Sequence, residues 1–262
     1  MVVWCCIKFT LCGYYSPLLA AGRFIVMTPL NSKHHPNRRF AIGDVHGCCR
    51  TLHTMIEDVI QLEQADTLYL LGDYIDRGPN SKGVLDYLMH LARKGYDIRP
   101  LMGNHERMML KARNSFEADN RWRMNGGCTT LHDFGVKKAS EIPDTYFDFL
   151  EALPLIHVLD DYVLVHSGLH FGVPDPIKDT PEFFLLWDRD YKVLPEKLAG
   201  RTLITGHTVH PLFEIRASLD TPHILLDNGC YDKGHICHGN LVALNLDTRE
   251  LLVQENCENT IR

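Results

Sequence analysis

From Arg39 onward, short apolar runs stopped by glycine alternate with longer stretches in which apolar residues recur every three or four positions. Phe40-Ala41-Ile42 stops at Gly43, Thr67 to Leu71 at Gly72, and Ile98 to Met102 at Gly103. Runs of this length, closed by a residue that turns freely, predict buried strands. Between them, Leu52, Met55, Ile56, Val59 and Ile60, and then Val84, Leu85, Leu88, Leu91 and Ala92, keep helical spacing. The alternation β-α-β-α-β predicts parallel strands with crossover helices. Residues 105–155 carry a mostly helical pattern, broken at Gly126-Gly127 and stopped at Pro143 and Pro154. After Pro154 the text becomes strand-like at 162–165, 202–205, 223–226, 240–246 and 250–254, with Asp247-Thr248-Arg249 as a hairpin turn. The expectation is one α/β domain over residues 39–262, with two sheets and flanking helices.

The first 38 residues do not follow this pattern. The opening 22 are mostly apolar and end in small residues, as a secretory segment does, but Lys8 is the only early cation and Tyr14, Tyr15 and Pro17 interrupt the run. The run is too short and broken to span a membrane. The preferred explanation is a start assigned too early, with Met27 as the first residue; a cleaved signal peptide is the lesser alternative. On either account residues 1–38 form a lead-in outside the fold, and a cytoplasmic location is expected. The chain has 262 residues, 45% of them apolar, enough for one sizeable core. A net charge of −6 lacks the basic excess of a nucleic-acid binder. The nine cysteines, an odd count, read as reduced thiols. Cys230, His235, Cys237 and His238 match no common structural-zinc spacing and are taken as loop residues.

The chemistry lies where the strands end. FAIGDVHG places Asp44 and His46 after one apolar run, LYLLGDYIDRG places Asp73 after another, and RPLMGNHE places Asn104 and His105 after a third. YVLVHSG and TLITGHT do the same with His166 and His207. In open α/β sheets ligands bind beyond the carboxyl ends of the strands, so five such ends would converge on one site. Asp44 and His46 are two apart and leave the same face of an extended segment. The two oxygens of Asp73 suit it to bridge two cations. Asn104 and His105 are adjacent, so one can face metal while the other faces substrate. Imidazole, carboxylate and amide together suit Mn, Fe or Zn better than Ca or Mg.

GDVHG, GDYIDRG, GNHE, HSG and GHT, in this order, closely resemble the signature of the phosphoprotein phosphatases within the calcineurin-like metallophosphoesterases, and most of all their compact bacterial and phage members. The match runs from about Arg39 to about Asp247. It implies an α/β fold in which a two-sheet sandwich is flanked by helices, in four layers. It also implies two divalent cations, Mn²⁺ first with Fe or Zn as alternatives. Asp44, His46 and Asp73 would hold one cation, and Asp73, Asn104, His166 and His207 the other. Arg77 would clamp the phosphate, with Asn104 beside it and Arg189 of LLWDRD as the second arginine. Asp76 would orient His105 to protonate the leaving oxygen. By the same resemblance, hydroxide generated between cations ~3.5–4 Å apart attacks phosphorus in line, with no covalent phosphoenzyme. The substrate expected first is phosphoserine or phosphothreonine in a protein, because Asp76 and Glu106 are both present. Symmetrical cleavage of diadenosine polyphosphates is the nearest alternative, followed by a small-metabolite phosphatase. An inactive binding module would have lost a ligand, and none is missing.

Overall fold

Period-two alternation builds two sheets that share one core. In the computed structural model the described residues are 37–259, so the apolar leader and most of the lead-in lie outside them. The strands are β1 (Arg39–Ile42), β2 (Thr67–Leu70), β3 (Asp97–Pro100), β4 (Ile156–Val158), β5 (Tyr162–Val165), β6 (Thr202–Thr205), β7 (His223–Leu225), β8 (Asn240–Asn245) and β9 (Leu251–Glu255). One sheet has the order β3-β2-β1-β8-β9, the other β4-β5-β6-β7. The crossovers expected from sequence are present: β1, β2 and β3 pair in parallel, as do β5, β6 and β7.

Each central strand buries both faces. Ala41, Tyr69, Leu71, Val242 and Leu244 of the first sheet pack with Tyr162, Leu164, Ile204 and Ile224 of the second. The opposite faces, Phe40, Ile42, Leu68, Leu70, Leu241 and Ala243, pack under helices through Leu52, Met55, Leu85, Leu88 and Phe147. Beyond the second sheet, Val163, Val165 and Leu203 meet Leu169, Leu185 and Leu198. The covering helices of the first sheet are α1 (Cys49–Thr54, continued by a π-helical turn, Met55–Ile60), α2 (Ser81–Arg93), α3 (Asn104–Ala112), α4 (Phe116–Trp122), α5 (Cys128–Phe134) and α6 (Asp144–Glu151). On the second sheet lie α7 (Pro176–Asp179), α8 (Glu182–Trp187) and α9 (Leu212–Ser218). The two-sheet sandwich flanked by helices is the fold expected.

The differences are local. Strand β4 went unpredicted because it is three residues long, only partly buried, and an antiparallel edge beside β5. The β8–β9 turn lacks glycine, and Arg249 adopts φ +60° in its place. The fold also begins before residue 39: Arg38, assigned to the lead-in, donates through Nε to Asp66 Oδ1 at 3.1 Å and through Nη2 to Oδ2 at 2.5 Å. Cys48 and Cys49 are buried at the start of α1, and burial raises the Cys49 thiol to about 11.

Candidate metal centre

Loops after β1, β2, β3, β5 and β6 meet at one end of the sandwich, and every candidate from sequence lies there. Asp44, His46, Asp73, Asp76, Asn104, His105, His166 and His207 are all buried. Asp73 is central. Its Oδ2 lies 3.5 Å from His46 Nε2 and its Oδ1 lies 3.5 Å from His166 Nε2. Two groups of donors therefore share its carboxylate: His46, Asp73 and His105 on one side, Asp73, His166 and His207 on the other.

Tight approach and backbone strain build this cluster. A Cβ on Gly103 would fall 2.2 Å from Asp73 Oδ1, and one on Gly206 would fall 2.1 Å from Asp44 Oδ1. Of the nine non-glycine residues with positive φ among those described, five are His46, Asp73, Asp76, Arg77 and His207. Each such residue costs about 1–3 kcal/mol and persists only where its surroundings hold it. Glu106 does much of the holding. Buried at the start of α3, it accepts the backbone N–H groups of Gly103 (3.0 Å), Asp73 (2.9 Å), Tyr74 (2.8 Å) and Ile75 (3.3 Å).

The donor set fits cations. His46 Nδ1 donates to Ile75 O and His166 Nδ1 to Leu71 O, each at 2.9 Å, which turns both Nε2 lone pairs inward. Backbone carbonyls fix metal-binding imidazoles in this way. Burial lowers the pKa of both rings, and burial with neighbouring His166 takes His207 to about 3, so all three stay neutral as ligands must be. Asn104 Oδ1 lies 2.9 Å from His166 Nε2 and 3.1 Å from His207 Nδ1. Turned over, its amide would instead donate to His166, His207 and Asp73.

Three expectations need refinement. Asp44 stands beside the two donor groups rather than within them, accepting the His207 N–H at 3.0 and 3.1 Å. Burial and the charges of Asp227 and Asp73 push its carboxyl well above the usual range. Arg77 and Arg189 both reach the centre, but each rests on an imidazole: Arg77 Nη1 is 2.8 Å from His46 Nε2, and Arg189 Nε donates to His207 Nε2 at 3.0 Å. The Arg77 guanidinium also lies over Tyr231, 4.8 Å from the ring centre.

Asp76 and His105 form the pair expected, with His105 Nδ1 2.6 Å from Asp76 Oδ2. Burial opposes a charge on His105, yet Asp73 and Asp76 outweigh it and raise the imidazole above its usual value. Asp76 accepts further bonds from Trp122 Nε1 (2.8 Å) and Thr130 Oγ1 (2.6 Å). Neither partner was identified from sequence. They lie on α4 and α5, and only the intervening glycine pair hinted at them: a Cβ on Gly126 (φ +112°) would crowd Arg77 Cγ at 3.0 Å. Asp227 was missed as well; burial raises it to about 6, and its charge acts on Asp44.

This geometry agrees with relationships to known proteins. Residues 38–240 match the family model for calcineurin-like phosphoesterases. The chain belongs to that family. A symmetrical bis(5'-nucleosyl)-tetraphosphatase from Hamiltonella defensa is 32% identical over 186 residues, 70% of this chain and 58% of that relative. The chain thus spans less than two thirds of its curated relative's length. The solved structure of a candidate diadenosine tetraphosphatase superposes with TM-score 0.59 at 20% identity, covering 86% of this calcineurin-like chain and 96% of the other. A serine/threonine phosphatase from Saccharomyces cerevisiae superposes equally, TM-score 0.59 at 14% identity, covering 88% and 84%. At such identities the two superpositions speak for the fold.

Proposed function

We propose that the protein is a two-metal phosphoesterase that hydrolyses a dinucleoside polyphosphate, cleaving diadenosine tetraphosphate symmetrically. The observation that carries the two-metal reading is the Asp73 carboxylate, with one oxygen facing His46 and the other His166. His46 and Asp73, with Asp44 alongside, would hold one cation; Asp73, Asn104, His166 and His207 would hold the second. When bound, the pair supplies a water of pKa near about 7 and offsets phosphoryl charge.

The chain's own groups do the rest. Arg77 and Arg189 approach from opposite imidazoles, so substrate phosphate would draw each guanidinium from a ring nitrogen onto paired oxygens. His105, held by Asp76, is placed to donate a proton to the departing oxygen, a help that a nucleoside diphosphate needs less than an alkoxide does. The substrate preference is supported by the named relative and by an adjoining cleft of about 570 Å³. Lys111 lines it with Phe183 and Trp187, whose aromatic faces suit a base. Beside them, Arg107 and Arg121 are paired with Glu182 and Glu117 and would have to exchange those partners for a polyphosphate. Trp187 ties the cleft to the centre, its ring 6.5 Å from that of His207.

Protein dephosphorylation stands second, favoured by the Asp76–His105 pair at 2.6 Å, a proton donor suited to an alkoxide leaving group. A paired assay on metal-stripped protein with added Mn²⁺ separates the two. Diadenosine tetraphosphate converted to ADP alone, with a phosphoserine peptide untouched, is the expected result. Phosphate release from the peptide with an intact dinucleotide would overturn the substrate assignment.

A further inference from the structure

A second set of metal-binding side chains lies outside the centre, on loop 228–239. Asn228 closes the loop: its amide donates to His210 O at 2.8 Å and to Cys237 O at 3.0 Å, and its own carbonyl accepts the Gly239 N–H at 2.9 Å. Inside it, Asp232, His235 and His238 bring one donor atom each within 4.8 Å of one another. His238 Nδ1 is 3.8 Å from Asp232 Oδ2, and the two imidazoles stack with centres 4.4 Å apart and planes 13° from parallel. His235 Nδ1 accepts the Cys237 N–H at 3.3 Å, a long bond that a cation taken at that nitrogen would displace. The loop's own cation is directed elsewhere, since Lys233 Nζ donates to the Glu258 carbonyl.

By sequence, Cys230, His235, Cys237 and His238 are loop residues, and the set brought together in the structure is a different one. Cys230 is 1% exposed and packs in the core, which removes it as a ligand to a surface ion. Asp232 takes its place, giving Asp-x2-His-x2-His on a single turn of chain. Two imidazoles and a carboxylate suit a borderline transition cation. Donors on one tetrahedral Zn²⁺ stand roughly 3.4 Å apart, given bonds of about 2.1 Å. Closing from the present spacing is a small movement for a loop with glycine hinges at Gly234 (φ +89°) and Gly239 (φ +93°).

We propose that Asp232, His235 and His238 form a third cation site, selective for Zn²⁺-like ions and separate from the site around Asp73. Its position gives it a purpose. Tyr231, adjacent to Asp232, meets His46 edge to face at 5.1 Å and lies under the Arg77 guanidinium. An ion on the next turn holds the loop that presents this ring.

The test counts Zn²⁺ on the full chain, free of any affinity tag, by competition with a chromophoric chelator. Wild type is compared with a His235→Ala/His238→Ala double variant, and the same comparison is repeated in an Asp73→Asn background. The expected result is one Zn²⁺ more per chain with the loop histidines than without them, in both backgrounds. Because the count is a difference at the loop, it stands or falls apart from the phosphoesterase assignment. Equal stoichiometry with and without the loop histidines would overturn the site. Near-ultraviolet circular dichroism of the double variant, expected to match wild type, checks that the fold survives the change.

Discussion

At the scale of single residues, we assign the chemistry to Asp73 and the pair Asp76–His105. Asp73→Asn leaves one oxygen where two are needed, so turnover is expected to fall by at least three orders of magnitude, about 4 kcal/mol or more. The bound cation count should fall with it; full activity in this variant would remove the bridging role. His105 predicts a pH profile. The imidazolium is the donating form, so activity is lost as pH rises through its pKa. Removing a negative neighbour lowers that pKa, so Asp76→Asn should move the alkaline limb of kcat/KM to lower pH. An unmoved limb would take His105 out of the acid role. Asp73 and His105 were legible in sequence because they close an apolar run ended by glycine, whereas Asp76 was named through the resemblance of its GDYIDRG box. Trp122 and Thr130 were not legible. They reach Asp76 from 46 and 54 positions away, on helices whose pattern records only packing.

At the scale of elements, strand ends and their loops set the ligand geometry. Five of the strained backbone positions are site residues, and Glu106 gathers the N–H groups of two of those loops into one carboxylate. Gly206→Ala would drive a methyl group to within 2.1 Å of Asp44 Oδ1. The expected result is at least a tenfold loss of activity with far-ultraviolet circular dichroism unchanged; retained activity would show that the loop after β6 yields more than its packing implies. Strand positions were readable because central strands bury both faces. The edge strand β4 left no such signal, and the Arg249 turn hid behind the lack of a glycine.

At the scale of the whole molecule, the inter-sheet core holds the two halves of the site together. The candidate ligands after β1, β2 and β3 belong to one sheet, and His166 and His207 follow strands of the other. Leu164, fully buried between the sheets, is the place to loosen that joint. Leu164→Ala should cost about 2–5 kcal/mol in denaturant unfolding. A cost below about 1 kcal/mol would mean that the sheets repack without it. Among the described residues no helix is long and apolar enough to cross a membrane. The order of motifs gave away the two-sheet plan, whereas the cleft proposed to hold the substrate lies between helices whose periodic pattern says nothing of what it faces.

The central claim is that one carboxylate joins two cations. Electron paramagnetic resonance of the metal-stripped protein loaded with two equivalents of Mn²⁺ tests it most directly. The account predicts an exchange-coupled spectrum in wild type that gives way to isolated Mn²⁺ signals in Asp73→Asn. Isolated six-line signals in the wild type at full loading would contradict it.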